Sequence, residues 1–225
     1  MSTEVSLRNN KFIAVILTFL TLIVFVHYDI TNNFDKLISQ AIYDIGGTYS
    51  IDIIIIIISS LGDLFVMVIL AAILTIIRRT RKMGLLLLIS IIILSVTTMY
   101  IKPLVGRISP IEQYIPKFHI PDKYTIEKDS MMPISRDFSF PSNHTARATA
   151  FIVIIGIWYT LRGNNNNVFG KLLWIYPLSI GFSRLYLLQN YFFDIVGGML
   201  YGMIIGIILC RLLKLNGVSG LNRFN

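Results

Sequence analysis

The chain has 225 residues, of which 55% are hydrophobic and only 14% charged, with a mean hydropathy of +0.71. One soluble core of this length cannot enclose so much apolar surface, so a water-soluble globular domain is excluded and a bilayer is the expected solvent. The net charge of +8 does not point to nucleic acid, because the basic residues collect at the ends of apolar stretches rather than in a stripe interleaved with aromatics.

Six apolar stretches run through roughly 11–28, 53–77, 83–101, 145–162, 171–189 and 193–213. Each is long enough, or nearly so, to cross about 30 Å of hydrocarbon. They predict an all-α integral membrane bundle of six transmembrane helices forming a single domain over residues 1–225. The first stretch follows Arg8 and Lys11, as a signal peptide would, but no small-residue cleavage site comes after it, so it is expected to stay as an anchor.

Residues 29–50 are polar enough for an outer loop or a short interfacial helix, with Gly46-Gly47 as a break before the second span. The third span leads to Lys102, where Pro103 is expected to disrupt the helix. A loop over 102–142 follows, with the prolines Pro103, Pro110, Pro116, Pro121 and Pro133 and the aromatics Tyr114, Phe118 and Tyr124. Loops longer than about 12–15 residues tend to be functional, and this one is expected to fold over a site. Residues 163–167, GNNNN, read as an inner turn between the fourth and fifth spans. The one cysteine, Cys210, lies in the last span and excludes an intrachain disulfide.

Charge orients the chain. With the N-terminus in the cytoplasm, the inner segments hold Arg78, Arg79, Arg81, Lys82, Arg162, Lys171, Arg211 and Lys214, while Asp29, Asp35, Asp44 and the long loop lie outside. This satisfies the positive-inside bias. Both termini are thus expected in the cytoplasm of a cell carrying this protein in its cell membrane, with the long loop outward.

Three short stretches carry candidate chemistry: 102–110 (KPLVGRISP), 140–144 (FPSNH) and 183–194 (SRLYLLQNYFFD). A Lys, a Ser-x-His pair, an Arg and a downstream Asp are groups that bind phosphoryl oxygens, protonate a leaving group and orient a base. Each has a plainer reading. Lys102 suits an interfacial lysine that snorkels. Ser142, after Pro141, suits a helix cap or an anion-binding helix N-terminus. Arg184 and Asp194 suit a structural ion pair at membrane depth, which Arg147 is placed to join.

Together the motifs resemble the type-2 phosphatidic acid phosphatase family, which shares its catalytic core with the vanadium haloperoxidases. The family pattern is K-x6-R-P, P-S-G-H and S-R-x5-H-x3-D. Lys102 and Pro110 match the first motif, Pro141, Ser142 and His144 the second, and Ser183, Arg184 and Asp194 the third. The resemblance implies a six-helix membrane bundle acting on lipid phosphates or polyprenyl phosphates and diphosphates. It implies His144 as general acid and Asp194 as the carboxylate that orients the nucleophile. Lys102, Ser142, Asn143 and Arg184 then hold the phosphate. No metal and no cofactor are implied, and protein partners stay open.

Three positions depart from the pattern. Asn190 stands where the nucleophilic histidine is expected, and a carboxamide closes the covalent route. Ser109 replaces the first-motif arginine, and Arg107, two residues short of that position, is a further candidate phosphate ligand only if the loop is rearranged. Asn143 replaces glycine, a mild change because Asn tolerates left-handed backbone. Losing a nucleophile costs about 10⁶-fold in turnover and losing a phosphate-clamping arginine about 10³–10⁵-fold.

The expected function is therefore binding of a lipid phosphate headgroup on the outer face with little or no hydrolysis. Two rivals stand beside it: a working phosphatase in which His144 or His119 activates water, and a structural subunit of a membrane complex that binds no lipid phosphate. The topology is directly testable. Cysteines introduced within 117–128 should label from outside intact cells and cysteines within 163–167 should not; the reverse pattern removes the outward-facing site.

Overall fold

The computed structural model describes residues 10–112, 133–163 and 167–213. The described residues form helices α1 (Asn10–His27), α2 (Asn32–Ile45), α3 (Tyr49–Ser60), α4 (Leu64–Ile76), α5 (Arg81–Val105), α6 (Asn143–Leu161), α7 (Asn167–Leu173), α8 (Ile175–Tyr186) and α9 (Phe192–Leu212). The two ends of the long loop meet where Ile108 bridges Phe138 in antiparallel fashion.

Among the described residues, α1, α5, α6 and α9 are each long and apolar enough to cross a membrane. They stand where the first, third, fourth and sixth apolar stretches were read. The second stretch is not a straight span. It divides into α3 and α4, bent by 51° at the intervening residues, and makes a fifth span if the bent pair is taken as one. Asp63 stops the run, adopting extended backbone (φ −61°, ψ 148°) ahead of α4. The fifth stretch divides at Trp174 into α7 and α8, and α8 has 12 residues, about 18 Å of helix, well short of a bilayer core. Among the described residues, length and composition support four spans, or five with the bent pair, of the six expected.

Pro103 does not end its helix. The helix α5 continues to Val105 and stops at Gly106, whose φ of 75° only glycine adopts freely and whose N–H caps the Lys102 carbonyl at 2.9 Å. The polar segment 29–50 takes the helical alternative, as α2.

The centre of the bundle is α6. Its first eight residues, Asn143 to Ala150, are all buried, and it packs most extensively on α9. Contact there is backbone to backbone. A Cβ built on Gly202 would stand 2.2 Å from the Ala146 carbonyl oxygen, and one on Gly198 would stand 2.5 Å from that of Ser142. Phe140, just ahead of α6, is fully buried and stacks on Phe19 of α1, which stacks in turn on Tyr201 of α9. Deeper in the bundle, Met67, Leu87 and Ile154 join α4, α5 and α6.

Gly202→Val should therefore force α6 and α9 apart and lower the thermal midpoint in detergent, by the equivalent of about 1–3 kcal/mol or more. Gly170, with nothing within 4 Å of its would-be Cβ, is the matched control: Gly170→Ala should leave the midpoint unchanged or raise it slightly.

Candidate functional site

The sequence-designated residues lie in or beside four helix ends, the C-terminal ends of α5 and α8 and the N-terminal ends of α6 and α9. Lys102 lies in the last turn of α5, Ser142 and Asn143 open α6, Arg184 lies in the last turn of α8, and Asn190 and Asp194 flank the start of α9. All are buried: Lys102, Ser142, His144, Arg184, Asn190 and Asp194 have no exposed surface and Asn143 only 5%. Lys102 does not snorkel; its Nζ donates to the carbonyls of Phe138 (2.6 Å) and Ser139 (3.3 Å), pinning the end of the long loop.

Asn190 is the hub of this side. Its Nδ2 donates to the Ser139 carbonyl at 2.9 Å, while its Oδ1 accepts from the Ser142 hydroxyl at 3.2 Å and, at 3.5 Å, from Arg184 Nε. Ser142 leads into α6 without a side-chain cap bond, its hydroxyl being spent on Asn190. Arg184 also reaches Ser59 (3.3 Å) and Gln189 (3.4 Å) through its two terminal nitrogens. Ser109, at the position of the absent arginine, donates to the Gln189 carbonyl at 2.8 Å. Two candidate phosphate ligands, Ser142 and Arg184, thus converge on one carboxamide oxygen.

The ion pair of Asp194 is with Arg107, not with Arg184. Arg107 Nη1 donates to Asp194 Oδ1 at 2.9 Å and Nη2 to Asp35 Oδ2 at 2.5 Å, and the guanidinium lies 4.2 Å from the centre of the Tyr191 ring. The other carboxylate oxygens take backbone donors: Tyr191 N–H to Asp194 Oδ2 (2.7 Å) and Phe193 N–H to Asp35 Oδ1 (3.1 Å). Burial is the strongest single influence on Arg107 and acts to lower its pKa, but Asp194 and then Asp35 outweigh it and hold the pKa above the ordinary value. The two-residue displacement of Arg107 therefore aims it at the carboxylates.

His144 turns toward the break between α3 and α4. Its Nε2 stands 2.9 Å from Asp63 Oδ1, and its Nδ1 stands 3.3 Å from Arg147 Nη2. Gly62 makes the approach possible, since a Cβ there would lie 3.2 Å from the His144 ring and 2.9 Å from Ile180. Sequence reasoning missed Asp63 and Asp35. An ionisable residue inside an apolar stretch was the available signal for Asp63; Asp35, one of several acids in a polar segment, carried none. His119 lies outside the described residues.

A family model, that of the PAP2 superfamily, matches residues 83–217. The chain belongs to the PAP2 superfamily. Among solved structures, the transmembrane PAP2-type phosphatidylglycerolphosphate phosphatase from Bacillus subtilis is similar, with a TM-score of 0.68 at 22% identity over 96% of this chain and 100% of that one. Aquifex aeolicus LpxE is similar with a TM-score of 0.54 at 21% identity, over 80% of this chain and 93% of that one. None of the curated proteins matches. Identities this low speak to the fold: this PAP2 protein is an integral membrane protein on the helical scaffold of the membrane phosphatases.

Removing Arg107 would leave two buried carboxylates sharing a few backbone donors. Arg107→Ala should cost about 3–5 kcal/mol, read as a fall in the unfolding midpoint, and Asp35→Asn placed in the Arg107→Ala background should recover part of it. An Arg107→Ala protein as stable as the parent would show that the triad contributes nothing to the fold.

Proposed function

We propose that this PAP2 protein binds a lipid phosphate or polyprenyl phosphate headgroup on the outer face of the cell membrane, with little or no hydrolysis. The observation that carries the reading is the convergence of Ser142 and Arg184 on Asn190 Oδ1. These are donors of the kind that grip a phosphoryl oxygen, and the atom they grip belongs to the side chain standing in the nucleophile's place. A carboxamide there offers no nucleophilic lone pair. Lys102 and Asn143 supply the remaining hold on the anion, His144 and Asp194 keep the family's positions, and the start of α6 faces the same side. Phosphate is drawn in by charge and held by hydrogen bonds, and it leaves unchanged.

The test joins binding with turnover. Purified protein should bind monododecyl phosphate, Arg184→Ala should weaken that binding by about tenfold or more, and phosphate release from a panel of lipid phosphates should stay far below the roughly 1–10³ s⁻¹ of working enzymes. Release within that range refutes the reading. Asn190→His combined with Ser109→Arg should release phosphate faster than the parent, and neither change alone should suffice.

A further inference from the structure

His144 occupies the family's general-acid position, yet in this chain its two ring nitrogens both face side chains of the protein. The Nδ1 side fixes the tautomer. A guanidinium carries only donors, so the nitrogen 3.3 Å from Arg147 Nη2 must be the acceptor. The ring proton is then on Nε2, and it is given to Asp63 Oδ1 at 2.9 Å.

Asp63 is well committed to this contact. It stands at the N-cap of α4 with extended backbone, where an aspartate ordinarily turns its carboxylate back onto the helix's own free N–H groups. Here it makes no such cap bond. The carboxylate faces the other way, onto His144, and Gly62 lets the chain close against the same ring. The bend of 51° between α3 and α4 is the geometry that brings the carboxylate there.

We propose that Asp63 is a positioning residue that sequesters the His144 Nε2–H, so that a phosphate group in the site described above meets a histidine whose only proton is already donated. This goes beyond the Asn190 substitution on which the binding reading rests: the proton donor of the site is withdrawn as well as the nucleophile. Asp63 is 17% exposed where His144 is fully buried, so the carboxylate forms the open edge of the pair.

The parent protein tests the tautomer without any ligand. In protein labelled with nitrogen-15 histidine, the three histidines are separated by comparison with His144→Gln. His144 should give a protonated Nε2 and an unprotonated Nδ1, with a slowly exchanging, downfield Nε2–H signal. Asp63→Asn, which keeps an acceptor oxygen, should retain that signal, and Asp63→Ala should lose it. An Nδ1–H tautomer in the parent, or an unchanged signal in Asp63→Ala, overturns the proposal.

The second arm reads binding of monododecyl phosphate. Asp63→Ala should tighten it by about three- to tenfold, the value of one freed hydrogen bond, and the gain should vanish in Asp63→Ala/His144→Ala. A gain that persists without His144 is simple relief of negative charge and overturns the proposal. A parent that shows the Nε2–H signal but binds no monododecyl phosphate overturns the binding reading while the positioning of His144 by Asp63 stands.

Discussion

The Arg107 guanidinium, 2.9 Å from Asp194 and 2.5 Å from Asp35, joins three segments far apart in sequence: α2, the turn after α5 and the start of α9. Taking three charges out of water costs several kcal/mol for each ion, and one cation cannot balance two carboxylates alone. The N-terminus of α9 supplies the difference. Its unspent N–H groups, at Tyr191 and Phe193, each donate to one of the acids, and the helix dipole favours negative charge at that end. The triad is sustained by a helix end, and it ties α2 to α9, against which α2 packs.

The pairings of Asp194 and Asn190 share a physical logic. The buried Asp194 carboxylate has Asn190, an uncharged carboxamide, four residues before it, and its charge is met by Arg107. Asn190 in turn accepts from Ser142 and Arg184 and donates to the Ser139 carbonyl, because a carboxamide offers both an acceptor and two hydrogens. Buried polar groups must be paired, and here the pairing is made within the protein.

The family was legible because Lys102, Ser142, His144, Arg184 and Asp194 keep their spacing, and spacing survives where overall identity to solved relatives is near one fifth. The long spans were legible from hydropathy alone. The break at Gly62-Asp63 was not, because the six isoleucines before it look like continuous helix and mask the turn that Leu61, Gly62 and Asp63 make with the preceding carbonyls. Asp35 and Asp63 both lie outside the matched residues 83–217, in segments whose role depends on where the bundle folds them. Arg107 was legible only as a further candidate phosphate ligand, and its partners are two acids, one of which no local pattern singles out.

The close approach of α6 and α9 at Gly198 and Gly202 has a mechanical side. Two helices whose backbones touch cannot slide or splay without breaking van der Waals contact along their length, so the start of α6 and the start of α9 travel together as one stiff strut. The α3–α4 pair is the opposite, two short rods meeting at a corner. Ser142, Asn190 and Asp194 ride the strut and keep their mutual distances, whereas Asp63 sits on the corner. The distances among Ser142, Asn190 and Asp194 are thus set by the α6–α9 contact, whereas the distance from Asp63 to His144 is set by the α3–α4 bend.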